Sequence, residues 1–305
     1  MFSFAALNKN DMKLISFILS VFVIAVLAGC SGPKIVAPRV PDKVLAENAA
    51  AEGNHAKAVE LWKTYFSEQT LAQITGADYA QAAQSAYKTD DSKLAVNWFD
   101  QARYKNFGDA EMYTTLAEIY KSQQNVSKEL GSLEYIMTNY PEKSGQISER
   151  LFLIYDEIGE PAKALSSWTN MAESQKNELS NLSLYFKIHN DLKDSVACDS
   201  LSLVILEKQP ENLEALEWNA FKYYWQGENR YQREMEIYNK NKTNKQYKIL
   251  LKELDLSTAD FKKSLTYLEK LWVIQPGEKY ASYFSNIYAR FGDEAKMNYY
   301  KKYLK

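Results

Sequence analysis

A small residue followed one helical turn later by a large aromatic recurs in this chain in a frame of about 34 residues, as Ala58–Trp62, Ala95–Phe99 and Ala164–Trp168. Gly53, Gly159, Gly227 and Gly292 each stand five residues ahead of the position those small residues take. The weaker units fit the same frame. Its expected turn positions are Gly53, Asp90, Gln124, Gly159, Lys193, Gly227, Ala259 and Gly292. A fixed period of that size means stacked supersecondary units, each burying an apolar face against its neighbour. The usual product of such stacking is an extended surface rather than a reaction centre.

Each unit reads as two helices and a turn. Val126, Leu130, Leu133, Ile136 and Met137 trace one helical face, and Phe261, Leu265, Leu268, Leu271 and Trp272 repeat those offsets. Pro141, Pro210 and Pro276 fall where second helices should end. Pro161 follows Gly159-Glu160, at a first helical turn where a missing N–H costs nothing. Asn54, Ser257 and Asp293 are expected N-caps of second helices. No segment alternates with period two, so the fold class is all-α.

These features resemble the tetratricopeptide repeat, whose 34-residue pattern carries small residues, aromatics, glycine and proline at fixed positions. The first repeat supplies Ala46, Gly53, Ala58 and Trp62, and the second Ala83, Ala95, Phe99 and Ala102. The third keeps Ala117, Tyr120 and Pro141, the fourth Tyr155, Gly159, Ala164 and Trp168. The sixth has Ala220, Tyr223 and Gly227, and the eighth Tyr288 and Gly292. In the seventh, Lys252 and Asp255 replace the small and aromatic residues, which puts its first helix in doubt and makes 240–246 an expected irregular connection. The resemblance implies an α-solenoid of about eight antiparallel helix pairs in a right-handed superhelix. It further implies a concave face lined by first helices, with Glu214, Glu217, Phe221, Tyr224 and Trp225 turned inward in the sixth repeat and Tyr87 in the second. The Lys/Asn clamp of chaperone-binding members is absent, since its positions hold Ala80/Gln84, Thr114/Glu118 and Ser183/Lys187.

The residues ahead of the repeats carry an address. Lys13 precedes an apolar run from Leu14 to Leu27, about 14 residues long and too short to cross a hydrocarbon core of roughly 30 Å. The run ends in Leu27-Ala28-Gly29-Cys30, which resembles the lipobox of bacterial lipoproteins. That resemblance implies a signal peptide over 1–29, lipidation of Cys30 with palmitate-type chains, and a membrane anchor. Met12 suits the start of such a signal better than Met1. Pro33, Pro38 and Pro41 mark 30–43 as lipidated cysteine and tether, leaving 44–305 as the repeat domain. Ser31 is not Asp, and no acidic residue follows the cysteine directly. By the family's sorting rules this favours the periplasmic face of the outer membrane.

Charge and chemistry narrow the function. The formal net charge of −2 offers no electrostatic footprint for nucleic acid. His55 and His189 are the only histidines, and no phosphate loop, nucleophile elbow or metal-binding helix motif is present, so no enzyme, cofactor or metal is expected. Cys198 takes the place of Ala58, Ala95 and Ala164 and reads as a small buried side chain. Aromatics beside carboxylates on the concave face suit an extended peptide or a sugar ring. Two readings follow: an envelope lipoprotein that scaffolds other proteins in assembly, secretion or cell-wall machinery, and a glycan-binding outer-membrane lipoprotein.

Overall fold

Helix termini explain this architecture best. The computed structural model describes residues 40–304, where all regular structure is helical: fifteen α-helices and one 3₁₀ turn. The expected signal peptide, Cys30 and tether residues 31–39 lie outside the described residues. The chain divides after Gly108 into two compact units.

The N-terminal unit holds α1 (Asp42–Ala51), α2 (His55–Glu68), α3 (Gly76–Lys88) and α4 (Ser92–Tyr104). Helix α1 takes up Asp42 and Lys43, the last residues of the expected tether. Ala58 and Trp62 of α2 are fully buried, and Phe66 extends that packing by meeting Tyr79 of α3 at 4.6 Å and Trp98 of α4 at 5.6 Å between ring centroids. Asp78 ties three helices together. It closes the capping box of α3 with Thr75 at 2.9 Å, accepts from Lys43 of α1 at 2.6 Å and from the Tyr65 hydroxyl of α2 at 3.5 Å. Burial pushes its carboxyl up, but the bonds from Lys43 and Thr75 outweigh this and hold it below the ordinary carboxylate value.

The C-terminal unit begins with α5 (Ala110–Ser122), α6 (Val126–Asn139), the 3₁₀ turn Pro141–Lys143, α7 (Ser144–Glu157) and α8 (Pro161–Asn170). It continues through a short α9 (Glu173–Lys176), α10 (Leu179–Asp191) and α11 (Ser195–Lys208). Two long helices follow, α12 (Leu213–Lys240) and α13 (Asn244–Ile274), then α14 (Glu278–Phe291) and α15 (Glu294–Lys301). Buried Leu151, Phe152 and Ala164 centre one core cluster, Phe186 and Cys198 a second, Leu216, Phe261 and Phe284 a third.

Six of the expected turn positions share one device. Gly53, Asp90, Gln124, Gly159, Lys193 and Gly292 all have φ between 55° and 79°, in the left-handed region. The next residue donates its N–H five residues back, as in Asn54 to Ala49 at 2.8 Å, Asn125 to Tyr120 at 2.9 Å and Asp194 to His189 at 2.9 Å. That bond closes a Schellman C-cap on the first helix. The same residue then caps the second helix: Asn54, Asp91, Asn125, Asp194 and Asp293 accept from backbone N–H groups three residues on. Glu160 lacks a side-chain cap, and Pro161 at the first helical position removes one donor that would need it.

The remaining two turns are not made. Gly227 lies inside α12 and Ala259 inside α13, so the sixth and seventh repeats each become one continuous helix, and the helices form seven pairs rather than about eight among the described residues. The connection between them shrinks to 241–243. Ser257 is no N-cap; it is buried in α13 and donates its hydroxyl to the Gly227 carbonyl at 2.7 Å. Ser264 does the same to Ala220 at 2.8 Å. Both pairs obey one antiparallel register, and Gly227 is needed for close approach: a Cβ there would lie 3.1 Å from the Phe261 ring and from the Ser257 carbonyl. The period placed a glycine correctly and assigned it the wrong job.

Candidate functional site: a groove between first helices

In the C-terminal unit, the first helices of the fifth and sixth repeats, α10 and α12, enclose a groove of about 640 Å³. Helix α12 lines it with Glu214, Glu217, Trp218, Phe221, Lys222 and Trp225, and α10 adds Lys187, Asn190 and Asp191. Four of the expected inward residues therefore come together: Glu214, Glu217, Phe221 and Trp225. Their spacing puts them on one side of α12, whose start is set by the Asn212 side chain accepting from the Ala215 N–H at 3.1 Å.

Tyr224 is a correction. It is buried rather than turned to the groove, with its hydroxyl accepting from Asn286 of α14 at 3.2 Å and its ring edge-on to Tyr283 at 4.7 Å. Burial pushes that hydroxyl above its ordinary value. Its ring instead buttresses Trp225, edge-on at 5.1 Å. Phe221 is held similarly, stacked on Tyr283 at 4.6 Å. Tyr87 stands half-buried on α3 of the N-terminal unit, beside the Lys88 ammonium, and does not line the groove.

The charges are unevenly satisfied. Lys187 donates to both oxygens of Asp156 at 3.0 and 3.2 Å, and Lys222 pairs with Asp199 at 2.9 Å. Asp199 also accepts from the Trp218 indole at 2.9 Å, fixing that ring. Glu217 accepts from Lys279 and from the Tyr280 hydroxyl of α14. Burial, then that bond, pushes the Tyr280 hydroxyl well up. Glu214 and Asp191 have no ion-pair partner among the described residues. Asp191 ends α10, where the helix dipole adds to its negative potential. With both lysines neutralised, the groove presents two free carboxylates and a Trp225 ring that is 51% exposed.

Sequence reasoning missed Asn190 and Asp191 and met Lys187 only at a clamp position, though a signal existed. They hold in the fifth repeat the same inward positions that Phe221, Tyr224 and Trp225 hold in the sixth. Trp218 and Lys222 lie one residue outside that rule.

Among the described residues no group of three His, Cys, Asp or Glu side chains could hold a metal. His189 instead meets Asp194 at 3.0 Å, beside the turn at Lys193. Cys198 is fully buried, and burial, with Asp194 and Asp199 nearby, pushes its thiol up to about 11.

Helix pairs in a 34-residue frame, six of them joined through the same left-handed turn, decide the architecture. This is a tetratricopeptide-type fold. No family model matches the chain, and no curated protein does. Among solved structures it is similar to a tetratricopeptide repeat protein from Parabacteroides merdae, at 10% identity over 86% of this chain and 90% of that one, with a TM-score of 0.42. The C-terminal part of a repeat-containing protein from Cytophaga hutchinsonii aligns at 14% identity over 86% of this chain and 93% of that one, TM-score 0.37. The pilF protein of Pseudomonas aeruginosa aligns at 15% identity over 83% and 96%, TM-score 0.37.

Proposed function

We propose that the protein is a lipid-anchored, periplasm-facing scaffold that holds a protein partner of a cell-envelope complex in the α10–α12 groove. The groove's free carboxylates and supported aromatics carry this reading. Trp225 and Phe221 offer flat apolar contact at low entropic cost, because neighbouring rings already fix them. Glu214 and Asp191 favour a partner segment that brings Lys or Arg beside an aliphatic or aromatic residue. The anchor rests on Leu27-Ala28-Gly29-Cys30.

Two measurements test this. Affinity capture from detergent-solubilised envelopes should recover a stoichiometric protein, and Trp225→Ala should weaken it by roughly 30-fold, the loss of a hot-spot aromatic worth about 2 kcal/mol. Failure to recover any partner, or one that ignores Trp225→Ala, refutes the groove reading. Labelling with a palmitate analogue should mark the wild type and not Cys30→Ser; labelling of both sinks the anchor. The exposed Trp225 ring also suits a sugar face, and polysaccharide binding abolished by Trp225→Ala, without a protein partner, would favour a glycan-binding lipoprotein instead.

A further inference from the structure

The fused pair α12–α13 does more than span two repeats. Arg290 of α14 forms a bidentate pair with Glu228 of α12 and lies 4.2 Å over the Tyr231 ring. Towards its tip the hairpin carries exposed Ile237, Tyr247, Ile249 and Leu251, and Leu256 lies level with Glu228; all five are 40–47% exposed. Lysines are interleaved with them. From Ile237 to Lys252 the chain has Lys240, Lys242, Lys245, Lys248 and Lys252 and no acidic residue; Glu253, bound by Arg230, and the exposed Asp255 follow. Only Lys240 is paired, with Glu236 at 2.5 Å; the other four have no ion pair among the described residues.

The arrangement on α13 is regular. Leu250 turns to α12 and is buried, while Lys245, Ile249, Lys252 and Leu256 follow spacings of four, three and four down the opposite flank. Lys248 stands beside that stripe, whereas Leu251 lies on the other side of Leu250. Lysine stems lie along apolar surface while their ammonium groups reach outward, which suits a boundary that is apolar below and anionic above. A second copy docked on the same face would set lysine against lysine, and a neutral peptide would leave four cations uncompensated.

We infer that this flank of α13 is a docking surface for an anionic lipid bilayer, with Lys245, Lys248 and Lys252 at the headgroups and Ile249 and Leu256 at the acyl boundary. The inference stands apart from the groove and from lipidation of Cys30. Each lysine near an anionic surface strengthens binding roughly fivefold.

The test is co-sedimentation of the full chain carrying Cys30→Ser, so that no acyl chain contributes, with vesicles of phosphatidylcholine alone or with about a third phosphatidylglycerol. Binding should favour the anionic vesicles, weaken with salt, and fall on the order of 100-fold in Lys245→Gln/Lys248→Gln/Lys252→Gln, as three fivefold steps require. Ile249→Ser/Leu256→Ser should weaken it with the charge intact. All these positions are exposed, and unchanged thermal unfolding of each variant confirms that it folds. Equal binding to both vesicle types, or a triple variant that binds like the parent, overturns the inference. So does equal affinity for polyglutamate or single-stranded RNA at matched charge, and so does a dimer that the lysine changes tighten.

Discussion

Gly227→Ala tests whether the sixth repeat is a crossing or a turn. Two terms act in opposite directions. Alanine in a helix interior is favoured over glycine by about 1 kcal/mol. The new methyl, however, would sit 3.1 Å from two Phe261 ring atoms and from the Ser257 carbonyl, so neighbours must retreat by a few tenths of an ångström. Overpacking of a tight core site costs about 1–3 kcal/mol, which leaves a net loss of about 0–2 kcal/mol. Gly131→Ala supplies the reference. Gly131 lies inside α6 with nothing within 4 Å of its added Cβ, so there the propensity gain of about 1 kcal/mol stands alone. The two identical substitutions should therefore shift the unfolding midpoint in unlike ways, upward for Gly131 and flat or downward for Gly227.

A turn glycine would also resist alanine, so the sign alone does not decide between the two roles. Phe261→Leu does. It removes the ring atoms that the new methyl meets, and in the crossing geometry it should relieve part of the cost of Gly227→Ala, giving a favourable coupling of about 0.5–1 kcal/mol in a double-mutant cycle. The assay is chemical unfolding of the four proteins followed by helical circular dichroism. Additivity within about 0.3 kcal/mol would refute the crossing and return Gly227 to the role that the period suggested.

Three further outcomes follow from burial and charge. Ala164, fully buried at its crossing in α8, should lose about 1–3 kcal/mol of stability on replacement by Leu, read as a lowered thermal midpoint. Asp78 is held below its ordinary value in the folded state, so its stabilising contribution is complete above about pH 4 and is lost as pH falls through the lower folded value. Asp78→Asn should accordingly be less stable at neutral pH and show a flatter loss of thermal midpoint across that acid range. Cys198, with its thiol pushed up to about 11, should resist a disulfide reagent at pH 8 in the folded protein and react fully in denaturant. Rapid reaction without denaturant would contradict its burial.

Helix pairing and six turn positions were legible in the chain because the period does not depend on residue type. Asp90, Gln124 and Lys193 adopt left-handed φ values, and composition alone would mark none of them as strongly as a glycine. Ala58, Ala95, Ala164 and Cys198 were legible for the same reason, and all four are fully buried. Gly227 misled because glycine serves two physical ends, left-handed turns and close helix approach, and spacing cannot separate them. Ser257 misled similarly: a serine expected as an N-cap can spend its hydroxyl on a carbonyl of the facing helix. The groove was half legible. Inward spacing found Glu214, Glu217, Phe221 and Trp225 but could not show that Tyr224 is covered by Tyr283 and Asn286 from a helix about 60 residues further on.

At both missing turns the residue after the turn position faces an arginine of another helix. After five of the six formed turns the next residue keeps a side-chain oxygen for its second helix, as Asn54, Asp91 and Asp194 do, Asp194 while its other oxygen meets His189. After Gly227 that residue is Glu228, and its carboxylate is taken by Arg290 at 2.6 and 3.0 Å. After Ala259 it is Asp260, which faces Arg230 at 3.4 Å, an arginine that also binds Glu253 at 2.9 Å. A cap contributes about 1 kcal/mol. Continuing the helix keeps the backbone ladder, both serine-to-carbonyl bonds and these ion pairs, so the unbroken form wins at both positions. Both surfaces assigned above then depend on that outcome. The groove occupies the first half of α12 and the lysine-rich tip lies at the far end of the same hairpin. A restored turn at Gly227, made by removing Arg290 and installing Asn at Glu228, should shorten the projecting arm while leaving Glu214, Glu217 and Phe221 in place. Bilayer binding should then fall while partner capture persists, and parallel loss of both would refute the independence of the two surfaces.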